Sequence, residues 1–159
     1  MHLQILAIGR LKTGPERELA ERYRERCLKS GRSLGFSGPG IIELNESRAR
    51  RPEERKAEEG EALSASAGSS WRIMLDERGK SIGSEDFAKL LAAARDSGRA
   101  EASLMIGGAD GLDPGLRSSA ELVLSFGALT LPHQLVRVLV LEQLYRAMTI
   151  LSGHPYHRI

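Results

Sequence analysis

The sequence predicts an α/β protein whose mostly parallel sheet carries helices on both faces. Short apolar runs alternate with helical segments along the whole chain, which is the pattern of strands joined by helical crossovers. Proline and glycine fall where those segments begin and end. No internal repeat and no linker rich in proline, glycine or serine divides the chain, so residues 1–159 read as a single domain.

The first element is "LQILAIG", Leu3 to Gly9, an apolar run closed by glycine and read as a buried strand. "PERELAERYRERCLK" follows as a helix, with Pro15 at its start and Leu19, Tyr23 and Cys27 on one face. "SGRSLGFSGPG" is glycine-rich and predicts a flexible loop, and "IIELN" a second strand. "PEERKAEEGEALSASA" reads as a charged helix and "WRIMLD", Trp71 to Asp76, as a third strand. In "SEDFAKLLAAARDSG" the expected N-cap is Ser84, and Gly98 sits past the end. Phe87, Leu90, Leu91 and Ala94 form the expected buried stripe of that helix.

"ASLMIGG", Ala102 to Gly108, is the expected fourth strand, and Asp113-Pro114 opens a helix as cap and first position. "GALTL" predicts a short fifth strand, and Pro132 starts the longest helical segment, "PHQLVRVLVLEQLYRAMTILSG". Apolar residues from Leu135 to Leu151, Leu141 and Leu144 among them, spread round most of its circumference. A helix apolar nearly all round is buried all round, and in a chain of 159 residues a partner subunit is the simplest cover. The expectation is a homodimer formed through this helix.

Composition narrows the function. A net charge of +2 is too small for a charge-driven nucleic-acid binder, so any RNA contact must be a local patch. The lone Cys27 cannot pair within the chain, which suits a reducing compartment. The apolar run at the start is too short for a signal peptide, and no run approaches the ~20 residues of a membrane span. The expected location is the cytoplasm, without membrane partners.

Several chemistries find no support in the spacing of residues. "LMIGGADGL" is neither the dinucleotide fingerprint nor a P-loop, and no nucleophile elbow occurs. His154 and His157 stand three apart without further ligands, so no metal is expected. Cys27, on an apolar stripe, reads as core rather than nucleophile. Gly107, Gly108 and Gly111 either turn the chain or let its backbone approach a ligand beyond the strand ends. Arg48, Arg50, Arg51, Arg55 and Lys56 are either a solvated helix start interleaved with Glu53 and Glu54 or a phosphate-contacting patch. The tail "GHPYHRI" either packs or lines a site.

"LMIGGADGL", "ALTLPHQLVRVLVLEQLYRA" and "HPYHR" resemble the RlmH family, bacterial methyltransferases of pseudouridine in large-subunit (23S) ribosomal RNA. The resemblance covers nearly the whole chain, although Gly31 to Arg51 is richer in glycine and arginine than the family pattern. It implies a SPOUT fold with a C-terminal trefoil knot, S-adenosylmethionine as methyl donor without a metal, a homodimer, and the assembled ribosome as substrate. It places the cofactor at Leu75, Gly107 and the segment Phe126, Gly127, Ala128, Leu129, Thr130 and Leu131. The tail residues Tyr156, His157 and Arg158 are then expected to handle the nucleotide. N3 of a pseudouridine must lose its imide proton before it can attack a methyl group. His157 is the expected base, Arg158 the group that stabilises the anion or holds a phosphate, and Tyr156 a stacking or hydrogen-bonding contact. Two rivals stand beside this reading: a ribosome-binding module without the reaction, and a nucleotide enzyme using "IGGADG" as a phosphate nest.

Overall fold

The computed structural model describes residues 1–156. Its sheet consists of β1 (His2–Ile8), β2 (Ser37–Leu44), β3 (Trp71–Lys80), β4 (Glu101–Ile106) and β5 (Leu122–Leu124). They lie in the order β2-β1-β4-β3-β5, and every neighbouring pair is parallel. The helices are α1 (Pro15–Gly31), α2 (Pro52–Ala67), α3 (Ser84–Asp96), α4 (Pro114–Ser118) and α5 (His133–Leu151).

Alternation along the strands divides the core into two layers. Leu3, Ile5 and Ala7 of β1, Ile73 of β3 and Leu104 of β4 pack with α1, α3 and α5. Leu6, Ile8, Met74 and Met105 point the other way, onto Leu63 and Ala67 of α2 and Leu116 of α4. Register puts Gln4 opposite Ser103 within the second set. There the Gln4 amide donates to Ser103 Oγ at 2.8 Å, and the Ser70 and Ser103 hydroxyls bond each other. A buried polar cluster is tolerated when its members are paired in this way.

Helix α5 is sandwiched between α1 and α3 of its own chain. Leu141 and Leu144 are fully buried there without a partner. This corrects the expectation that their faces need a second subunit: the all-round apolar pattern is satisfied by two helices and the sheet. Arg137, only 1% exposed, also belongs to this interior. It bonds the Glu43 carboxylate and donates from Nη2 to the Gly9 carbonyl at 3.0 Å, fastening α5 to the ends of β2 and β1. Burial pushes its pKa down, and Glu43 opposes that shift.

Four local expectations are overturned. The "SGRSLGFSGPG" segment is a 3-10 turn at Arg32–Leu34 followed by the first half of β2. Its glycines serve closeness rather than looseness, since a Cβ on Gly38 would stand 2.2 Å from the Leu3 carbonyl oxygen. Pro39 is accommodated because β2 is an edge strand. Ser84 is not the N-cap of α3; Gly83 holds that position, and Ser84 Oγ donates instead to Gln143 Oε1 of α5 at 2.8 Å. Leu90 is 39% exposed, and Ala88 takes its place in the buried stripe. "GALTL" is not a strand: β5 is the preceding Leu122–Leu124, and the chain leaves the sheet after it.

β3 runs four residues beyond the expected Asp76, for a specific reason. Both Leu75 and Lys80 pair with Leu124, and Ser125 N donates to the Lys80 carbonyl at 3.0 Å. The chain between them curves past β5 on the way to α3.

Candidate cofactor cleft

In a parallel sheet the segments leaving each strand emerge at one edge, where ligands of open α/β folds bind. Here the exits of β3, β4 and β5 and the first turn of α5 enclose a cleft of roughly 690 Å³. Leu75, Ile106 and Leu124 give it an apolar base, and the 126–132 segment forms one wall. A smaller recess of roughly 200 Å³ shares Leu75, Leu124 and Phe126 and reaches Phe87 and Val140 in the core.

The opposite wall is the glycine turn after β4. Gly111 N donates to the Gly108 carbonyl at 3.1 Å, and Gly111 has a φ of +85°, a conformation glycine adopts without strain. A Cβ on Gly107 would lie 3.1 Å from the Gly111 carbonyl carbon, and one on Gly108 would lie 2.7 Å from Glu59 Oε2 of α2. The tightness of the turn thus requires small residues, and the turn also lines the cleft. Asp113 caps α4 as expected, accepting from Leu116 N at 2.9 Å.

Charged groups ring the mouth. Asp76 accepts from Arg78 N at 2.9 Å, and its other oxygen stands 3.4 Å from Arg117 Nε. Thr130 Oγ1 donates to Glu77 Oε2 at 3.1 Å, tying the 126–132 wall to the second half of β3. Asp110 receives two hydrogen bonds from Arg55 of α2, at 2.6 and 3.0 Å. The guanidinium bond holds the Asp110 carboxyl below its ordinary range and raises the Arg55 pKa in turn.

Leu75, Gly107, Phe126, Gly127, Leu129, Thr130 and Leu131 all line the cleft. Ala128 belongs to the same wall but is exposed and does not line it. Sequence reasoning missed Asp76, Glu77 and Arg117, which also line it, and named Lys56, a further lining residue, only as part of the basic stretch. Asp76 and Glu77, within β3, directly follow its apolar run Ile73 to Leu75, and that adjacency was the one signal available for them.

The tail is reached only as far as Tyr156. Its ring packs on Tyr145 with centroids 4.7 Å apart, its hydroxyl donates to Glu142 Oε1 at 3.1 Å, and Arg146 lies over its face. Burial, then hydrogen bonding to Tyr23 and the charge of Glu142, push the phenol pKa up, so it stays a donor. Glu142 lies nine residues along α5 from His133 at the cleft mouth, about 14 Å of helical rise. His157 and Arg158 lie outside the described residues. Cys27 is core, 1% exposed, and burial pushes its thiol up to about 12. Among the described residues no group of three or more His, Cys, Asp or Glu side chains is arranged to hold a metal, and no helix is long and apolar enough to cross a membrane.

Comparison with known proteins agrees with this architecture. The model of the family described as "Predicted SPOUT methyltransferase" matches residues 1–157. The chain is 59% identical over 159 residues to the Ribosomal RNA large subunit methyltransferase H of Rhodopseudomonas palustris (strain BisB18), with 99% of each chain covered. It is 54% identical, with the same coverage, to the protein of that name from Rhizobium meliloti (strain 1021). Among solved structures it resembles a probable methyltransferase from Bordetella pertussis Tohama I, with a TM-score of 0.53 at 12% identity. That likeness spans 92% of this chain and 95% of the other, and at such low identity it speaks for the fold alone. With a parallel sheet, a cleft at its carboxyl edge and a family match over nearly its whole length, the chain belongs to the SPOUT methyltransferase family.

Proposed function

We propose that the protein transfers a methyl group from S-adenosylmethionine to N3 of a pseudouridine in 23S ribosomal RNA of the large subunit. The observation that carries this reading is the cleft, in which Leu75, Gly107 and most of the 126–131 segment converge. Relatives named as large-subunit ribosomal RNA methyltransferases match the chain from end to end. The residues fit the cofactor: an apolar base, a turn without side chains, backbone groups along one wall and carboxylates at the mouth suit a ligand with a flat ring and a cationic end. Bound there, S-adenosylmethionine supplies a methyl group on a cationic sulfur.

The chain's own residues do the rest. Leu75, Leu124 and Leu131 exclude water, while the backbone of Gly107 and of 126–131 orients the ligand. His157 takes the imide proton, Arg158 holds the resulting anion or a neighbouring phosphate, and Tyr156 contacts the nucleotide. No metal enters the reaction.

The protein works as a homodimer on the assembled ribosome in the cytoplasm. Tyr156 is anchored to Glu142 well along α5 from the cleft of its own chain, so the tail serves the cleft of a second copy. Leu129, 81% exposed, and Leu135, 44% exposed, stand beside the cleft as the apolar surface for that copy. The double pairing of Leu124 with Leu75 and Lys80 supports a C-terminal segment threaded into a trefoil knot.

The test is incubation with labelled S-adenosylmethionine and ribosomes lacking the modification, followed by nucleoside mapping. Label on N3 of one pseudouridine is expected. Label elsewhere, or none, overturns the reading.

A further inference from the structure

The parallel sheet also brings the exits of β1 and β2 to the edge that holds the cleft, for Ile8 pairs with Leu44. The segment leaving β2, residues 45–51, has no helix or strand, yet it is firmly held. Ser47 N donates to Glu59 Oε1 at 3.0 Å, and Ser47 Oγ bonds Glu58. Arg55 Nη1 donates to the carbonyls of Ala49 and Arg50, at 3.1 and 3.0 Å. The same guanidinium grips Asp110 on the cleft wall with Nε and Nη2. One side chain therefore fixes this segment relative to the glycine turn.

What the segment presents outward is cationic. Arg48, Arg50 and Arg51 are all exposed. Among the described residues the side chains of Arg48 and Arg50 make no ion pair or hydrogen bond, and Arg51 reaches Glu54 only at 3.9 Å. Glu58 and Glu59 of α2 are engaged on Ser47. Lys56, one turn into α2, lines the cleft mouth behind them. A solvated helix start needs no such fastening. Guanidinium forks carried on a held backbone, those of Arg48 and Arg50 without a partner, suit a polymer of phosphates, each fork matching two phosphate oxygens.

We infer that residues 45–51 form a docking ridge for the ribosomal RNA backbone at the cleft mouth, with Arg48, Arg50 and Arg51 on phosphates. This rests on the ribosomal RNA reading above and deepens it. The ridge contributes position and attraction, not sequence choice.

The test compares wild type, the triple variant Arg48→Gln/Arg50→Gln/Arg51→Gln, and the triple lysine variant at the same positions. Binding is measured to ribosomes lacking the modification across a salt series, with an in vitro transcript of large-subunit ribosomal RNA run beside them. Each phosphate contact removed should lower the slope of log affinity against log salt by about 1. The glutamine variant is expected to lose about 3 from that slope and to bind more than ~10-fold more weakly at low salt, with S-adenosylmethionine affinity unchanged. The lysine variant should keep most of the slope. An unchanged slope in the glutamine variant overturns the ridge, as does an equal loss in the lysine variant. With wild type bound to the protein-free transcript, a defect on whole ribosomes that is absent on that transcript also overturns it, by assigning the ridge to a ribosomal protein. Methylation of ribosomes by wild type is run alongside: its failure strikes the proposed function, whereas the slope decides the ridge.

Discussion

Gly79 lies directly against the backbone of Leu124, and a Cβ built on it would stand 2.5 Å from the Leu124 carbonyl carbon. This contact lets the chain beyond Leu75 curve past β5 and pair with Leu124 a second time at Lys80. Because the obstacle is backbone, no rotamer change relieves it. Gly79→Ala should cost about 2 kcal/mol or more as an overpacked position. That is a melting temperature lower by roughly 4–8 °C in a domain of this size. Leu124 is also cleft base, so S-adenosylmethionine affinity should fall with it. An unchanged melting curve would show that the two segments separate freely.

The Arg55–Asp110 pair gives a dependence on pH with a definite sign. Asp110 has its carboxyl pKa lowered from 3.8, first by the Arg55 hydrogen bond and then by the charges of Arg55 and Lys56, against burial. A carboxylate whose folded pKa is depressed stabilises the fold above its unfolded pKa, and that contribution disappears as pH falls through the folded value. Asp110→Asn should therefore differ from wild type by a constant amount between pH 8 and 5. The gap should close below about pH 4. Denaturant midpoints across pH measure it, and a gap that widens in acid would reverse the assignment.

Thr130 and Glu77 link two walls of the cleft through one exposed hydrogen bond. Thr130→Val keeps the shape and removes the donor. Stability should stay within about 0.5 kcal/mol, as for a surface change. Cofactor affinity should drop several-fold because the 126–132 wall is no longer tied, and calorimetric titration separates the two effects. Equal affinity would mean the wall holds its position by other contacts.

Strand and helix identity was legible wherever one period dominated. α2 matches its expected bounds because Pro52 starts it and Gly68 stops it. Failures came where a residue serves two ends. Leu122–Leu124 is too short for periodicity to reveal, while "GALTL" has the β-branched and apolar look of a strand but lines a cleft. Ser84 has a capping residue's chemistry, yet its hydroxyl is taken by Gln143, a tertiary contact 59 residues away. In the cleft the apolar and glycine residues were legible through the family resemblance. The ring of charge was not, because Asp76, Arg117 and Lys56 converge only after three separate crossovers fold.

The burial of α5 within its own chain separates assembly from folding. Leu144→Glu places a charge in a fully buried site and should abolish soluble folded protein rather than yield a monomer. Leu135→Glu changes a side chain that is 44% exposed beside the cleft. It should remain folded, with a melting temperature near wild type at low concentration, and behave as a monomer by light scattering. If the Leu135 variant stays dimeric, the second copy does not sit beside the cleft.

His157 tests the division of labour between cleft and tail. The residues proposed to bind the cofactor, Leu75, Gly107 and most of the 126–131 segment, line the cleft without it, and Tyr156 is held by Glu142, Tyr145 and Arg146. His157→Ala should leave S-adenosylmethionine affinity nearly unchanged and slow methylation of ribosomes by roughly 10²-fold or more, the usual loss on removing a general base. A base must be neutral to accept the imide proton, so wild-type activity should decline as pH falls through ~6.5, the ordinary value for histidine. The alanine variant should lack that limb and show instead the rise with pH of the substrate's own ionisation. Arg158→Ala should mainly raise KM, with a penalty that shrinks as salt increases. Wild-type turnover in the His157 variant would assign the tail to packing and leave the proton to solvent.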